Sequence, residues 1–285
     1  MRIIAKYKFD QNKYQGFIPT FNNEFMDYTA TDEKDADGYI IRTIKSNSLP
    51  TQIKFDCYGN ASLLNVYECN TSQCTDMSNM FNGCLSLRSV PEDFIKEMYH
   101  SATIGSYCFL YYTFNRCIAL DEIKGLYLAD ITLNANTIAK TFDQCCRVKD
   151  IIFATQEDGT PYSRNCSNQA ISLTYEVGYI GFTTESQLLN YNSGITADKK
   201  VFDDASYAAL KNDPDWYTTD TAYSRYNHDS AVNTINSLPD VSQGTGNTIK
   251  FKGEAGSKTD GGAINTLTEE EIAVAAAKGW TVTFA

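Results

Sequence analysis

The sequence predicts an α/β solenoid, a stack of irregular coils each made of a short helix or turn and a short strand. A β-rich cap closes its N-terminus, and a helix and strand close its C-terminus. Three observations predict it. A pattern of Phe, Asn or Asp, any residue, Cys, two residues, then Leu or Val occurs three times between residues 81 and 148. A capped helix followed by a strand occurs twice near the C-terminus. The first 56 residues carry strand-like runs and none of the repeated pattern.

The three copies read MFNGCLSLRSV from Met80 to Val90, TFNRCIALDEI from Thr113 to Ile123, and TFDQCCRVKDI from Thr141 to Ile151. Phe81, Phe114 and Phe142 recur at spacings of 33 and 28 residues, which suit one coil each. A single coil cannot bury its own apolar face, so stacking must set the Phe, Cys and Leu of one coil against those of the next. Phe81, Phe114 and Phe142 are therefore expected to line up in one core, as are Cys84, Cys117 and Cys145. In each copy the Phe-x-x-Cys part reads as a short helical turn, and the Leu-x-x-Val or Leu-x-x-Ile part leads into a strand.

Within residues 1–56, Arg2–Phe9 and Gly38–Ile44 read as strands, with Asp37-Gly38 as the turn signal. This stretch is read as a β-rich N-terminal cap or attachment module. Residues 57–182 form the expected repeat region, 183–228 an aromatic and acidic insertion, and 229–285 the C-terminal helix and strand units with their cap. In that last part Ser230–Leu238 reads as a helix with Asp229 as N-cap, followed by a strand at Thr248–Phe251. From Leu267 onward, Thr268 and Glu271 form a capping box and Leu267 staples onto Ile272. Gly279 supplies the left-handed C-cap, Lys278 suits the helix dipole, and Thr281–Phe284 is the final strand.

The nine cysteines are an odd number, and their recurrence within the repeated pattern is what small buried hydrophobes stacking along a core would show. No Cys-x-x-Cys spacing occurs and the two histidines are His100 and His228, so no zinc site is expected. Catalysis is not expected either. Neither histidine sits in a nucleophile motif, and 35 acidic residues generate carboxylate pairs by chance. The acidic run from Asp32 to Gly38 lacks the alternation and closing glutamate of a calcium loop and reads as a solvated hairpin turn. No phosphate-binding glycine loop is present, and no cofactor is implied.

A formal charge of -11 repels phosphate backbones, which argues against nucleic acid as a partner. No run reaches the length of a membrane span, and the first residues lack a signal-peptide core. Nineteen tyrosines against two tryptophans suit either a recognition surface or strand borders. The insertion concentrates aromatics, and Trp216, Tyr217, Tyr223 and Tyr226 are the candidate binding residues. The rival reading packs that segment onto the core.

The run from Thr71 to Leu87, TSQCTDMSNMFNGCLSL, resembles the BspA-type leucine-rich repeat, with Cys74 where that family usually has valine. The copies at Phe114 and Phe142 keep its Phe-x-x-Cys-x-x-Leu/Val skeleton, and the segment from Leu267 to Phe284 is similar to its closing helix and strand. The resemblance implies leucine-rich-repeat-like coils and a non-catalytic structural or binding protein presenting a repeat surface for protein or glycan recognition. It implies a phage virion component such as a fibre, decoration or tail-associated protein, with a bacterial cell-surface adhesin as the alternative. A polysaccharide-degrading enzyme is the third reading. The partners implied are other virion proteins, or a host surface protein or glycan, with homo-oligomerisation open.

Overall fold

A computed structural model describes residues 1–21, 27–55, 62–74, 76–92, 110, 112–117, 119–126, 141–142, 145, 148, 150–173, 226–251 and 267–284. At the N-terminus β1 (Arg2–Phe9), β3 (Tyr28–Lys34), β4 (Ile40–Ser46) and β6 (Leu63–Cys69) form an antiparallel sheet in the order β3-β4-β1-β6. The short strands β2 (Thr20–Phe21) and β5 (Ile53–Lys54) pair beside it. Alternation along β1 buries Tyr7 and Phe9. A register shift between Ile3 and Ala5 lets the consecutive residues Ile4 and Ala5 both face inward. The sheet extends past residue 56, because its fourth strand is Leu63–Cys69. The strand Tyr28–Lys34 departs from the sequence reading, in which the acidic residues from Asp32 form a turn. The turn lies at residues 35–39, where Gly38 adopts a φ of 84° and donates to the Asp35 carbonyl.

Beyond the sheet, the spacing of the repeated pattern has a direct cause. Cys84 N–H donates to the Phe81 carbonyl and Leu87 N–H to the Cys84 carbonyl. Cys117 does the same to Phe114 and Leu120 to Cys117; Cys145 does so to Phe142 and Val148 to Cys145. These i→i+3 bonds give three residues per turn, so positions three apart lie on one face. Every residue named at those positions is buried. The same rhythm runs upstream through Thr71, Cys74, Met77 and Met80.

The expected alignment is found. Phe81 and Phe114 stack at 5.4 Å and 14°, Phe114 and Phe142 at 5.8 Å and 4°. The row begins one ring earlier, with Phe55 on Phe81 at 5.1 Å, and Phe55 in turn meets Tyr7 of the N-terminal sheet edge to face at 5.5 Å. Both regions therefore share one apolar core.

On the other side of these turns the chain pairs in parallel. Asn65 of β6 bridges Ser89, Asp121 N–H donates to the Arg88 carbonyl, and β7 (Glu122–Leu126) pairs with β8 (Asp150–Phe153). A second parallel sheet holds β9 (Ala170–Leu173), β10 (Asn247–Phe251) and β11 (Trp280–Phe284) in the order β9-β10-β11. Helix α1 (His228–Ser237) packs on β8, where Thr234 Oγ1 donates to the Ile151 carbonyl and Ser237 Oγ accepts from Phe153 N–H. Its N-cap is Asn227, where Asp229 was expected two residues further on. The Asn227 side chain accepts from Ser230 N–H, and Ser230 Oγ accepts from Asn227 N–H, which leaves Asp229 inside the first turn.

Helix α2 (Glu269–Ala277) starts as its sequence requires, with Thr268 and Glu271 bonding reciprocally. Lys278 differs from expectation. Its ammonium donates to the Ile235 and Asn236 carbonyls, at 3.0 and 2.6 Å, and so caps the end of α1 instead of α2. Trp280 is buried and donates from Nε1 to the Pro239 carbonyl.

Candidate functional site

The four aromatic residues expected to bind are not brought together by any described geometry. Trp216, Tyr217 and Tyr223 lie outside the described residues, as does His100. Tyr226 is corrected from a surface contact to a core residue. It is 1% exposed, and its hydroxyl sits 2.6 Å from Thr234 Oγ1, which itself bonds to β8. Burial pushes its phenol well above the ordinary range. A phenol with its hydrogen bond satisfied indoors anchors α1 and presents nothing to a ligand.

The described tyrosines that do face solvent are Tyr14, Tyr28 and Tyr67, all in the N-terminal part. Tyr28 begins β3, and every residue of β3 is exposed. Its sequence, YTATDEK, holds one aromatic, two threonines and three charges, so its signal is strand alternation without an apolar face. The acidic run from Asp32 resembles a solvated turn in the sequence and so masks the strand. Asp32 is instead held in the strand by a two-pronged bond from Arg42 Nε and Nη2, both at 2.6 Å.

A second surface follows the parallel pairing. Asn65 Nδ2 donates to Ser89 Oγ at 2.9 Å, Glu122 lies opposite Asp150, and Asn233 of α1 donates to Asp150 Oδ1 at 3.2 Å. Lys124 sits 3.2 Å from Glu122. The partly exposed row of amides, hydroxyl and carboxylates offers donors and acceptors in a line. Such a row suits the hydroxyls of a glycan or the backbone of a protein ligand.

Among the described residues no group of three His, Cys, Asp or Glu side chains is placed to hold a metal ion. His228 lies 3.2 Å from Glu271 Oε2 and 3.5 Å from Asp229, and Glu271 Oε2 is already accepting the Thr268 N–H. The pair ties α1 to α2. Among the described carboxyls, Asp32 is held below the ordinary range chiefly by Arg42, Asp35 by Lys8, Asp158 by Thr160, Asp240 by Ser242 and Glu271 by the Thr268 N–H. Lowered values mark carboxylates that cap turns and pair charges; a general acid needs the opposite.

The cysteines serve the stack. Cys84, Cys117 and Cys145 donate from Sγ to the Phe55, Phe81 and Phe114 carbonyls, at 3.3, 3.2 and 2.9 Å. Each Phe81 and Phe114 carbonyl also takes an N–H three residues on, so the thiol fills its second lone pair. All three cysteines are unbridged. No helix among the described residues is long and apolar enough to cross a membrane. Comparison with protein-family profiles, with curated proteins and with solved structures finds no match.

Proposed function

We propose that this chain is a non-catalytic structural or binding protein, a leucine-rich-repeat-like solenoid that presents a repeat surface for protein or glycan recognition. The observation that carries the reading is the row Phe55, Phe81, Phe114 and Phe142 with its thiol-to-carbonyl bonds. It gives physical sense to the residues that resemble the BspA-type repeat, because the Phe and Cys of that pattern are the ones that stack. The polar row from Asn65 to Asn233 is the surface such a stack would display. On the strength of the resemblance at Thr71–Leu87, we further propose a phage virion component, with other virion proteins or a host surface protein or glycan as partners.

Mass spectrometry of purified virions, run beside the membrane fraction of the bacterial host, tests the assignment. Enrichment in virions supports it. Recovery from host membranes alone overturns it in favour of a cell-surface adhesin.

A further inference from the structure

We propose that β3 is the contact through which two copies of this chain pair, antiparallel and about a twofold axis at Thr31. The inference is independent of the proposed biological role. All seven residues of β3 are exposed, and among the described residues the strand pairs with β4 alone. Its outer edge therefore carries backbone N–H and C=O groups open to another strand. Its side chains are all exposed, although the Tyr28 ring rests on Phe21 at 5.6 Å and Asp32 is held by Arg42.

The sequence of β3 selects a second copy as the occupant. In a sheet, opposed residues must point to the same face, so a twofold axis normal to the sheet has to pass through one residue position. Centring it on Thr31 overlaps the whole strand. Tyr28 then faces Lys34 of the second copy, Thr29 faces Glu33, Ala30 faces Asp32, and Thr31 faces itself. No like charges are opposed. Thr29, whose hydroxyl reaches the weak acceptor Met1 Sδ at 3.8 Å, gains a carboxylate, and the Tyr28 ring gains an ammonium.

The neighbouring registers are worse. Centring on Asp32 sets that carboxylate against its own copy, and centring on Glu33 does the same for Glu33. Centring on Ala30 opposes no like charges but leaves Glu33 and Lys34 unpaired. Charges on an edge strand ordinarily keep edges apart. Here Asp32 is already neutralised by Arg42, and the remaining Glu33 and Lys34 fall opposite threonine and tyrosine.

Sedimentation velocity on the full chain over a wide concentration range tests this. The wild type is expected to form a dimer. Thr31→Lys and Thr31→Glu each place like charges across the axis and are expected to weaken it about tenfold or more. Mixing the two variants in equal amounts restores the dimer, because opposite charges then meet. Thr29→Lys, set against Glu33 of the second copy, tightens it, a gain that misfolding cannot produce. A wild type that stays monomeric up to about 100 µM overturns the proposal. So does a dimer that none of the three substitutions moves, or a mixture that fails to re-associate.

Discussion

Phe114 lies between Phe81 and Phe142, its ring 14° from parallel with the first and 4° from the second. It is fully buried, and its carbonyl receives both Cys117 N–H and Cys145 Sγ. Removing the ring opens a cavity that two neighbours cannot fill without leaving their own stacks. Phe114→Ala is expected to cost about 3–5 kcal/mol in chemical denaturation, and Phe114→Leu roughly 1–2 kcal/mol. An equal loss from Phe284→Ala, at a solvent-facing ring, would deny the stack its special place.

The Cys74 thiol gives stability a dependence on alkaline pH. Burial first, and the nearby Asp76 charge second, push it from 9.0 up to about 12. A raised folded value means that the neutral thiol is favoured by folding. Its contribution is whole below pH 9 and is lost as pH rises from 9 towards 12. With those two values the loss at pH 10 is roughly 1.4 kcal/mol. Cys74→Val removes the titration while keeping a small apolar side chain, so urea midpoints measured between pH 8 and pH 10.5 should fall less for the variant than for the wild type.

Gly279 closes α2 where two constraints meet. Its φ is +83°, and an added Cβ would lie 2.8 Å from the backbone of Val241 and Ser242 in the preceding unit. The close approach exists because Val241 N–H donates to the Lys278 carbonyl. Gly279→Ala is expected to lower stability by about 2–3 kcal/mol, read as a shifted denaturation midpoint. A side chain cannot be accommodated there by rotation, since the obstructing atoms are main chain.

The parts of the molecule legible in the sequence are those where a local rule and the tertiary structure agree. Thr268, Glu271 and Gly279 announce α2 because caps are short-range chemistry. The row of phenylalanines is legible because every third position in a three-residue turn must be apolar. Phe55 escaped because no cysteine follows it three residues on, although it stacks on Phe81 all the same.

Backbone shape proves more regular than residue identity. Asn79 and Tyr112, each two residues before a stacked Phe, have φ of 60° and 56°. Gly83 and Arg116, each two residues after, have φ of 76° and 61°. Left-handed positions filled by tyrosine and arginine leave no sequence signal. The surface was least legible. Tyr226 reads as an aromatic in an acidic loop, and only the packing of α1 on β8 reveals it as core. The strand β3 has no buried face, so no apolar alternation marked it.

Arg42 holds β3 against the sheet, and its removal should loosen that edge without unfolding the rest. The guanidinium grips both Asp32 oxygens, donates from Nη1 to the Phe17 carbonyl at 2.8 Å, and lies over the Phe9 ring at 5.1 Å. It is 8% exposed, whereas the Asp32 side chain is 40% exposed. Most of the loss on substitution therefore comes from the buried end. Arg42→Lys keeps the charge but not the planar fork, and should cost about 1–2 kcal/mol; Asp32→Asn should cost under about 1 kcal/mol, because water screens that partner. Asp32 is held below its ordinary 3.8 by Arg42, so its share is present above that pH and fades as the pH falls below it. Amide exchange of β3 at pH 7 should quicken in Arg42→Lys while the exchange of β1 stays slow. Equal quickening of both strands would mean that the pair supports the whole sheet and not its edge.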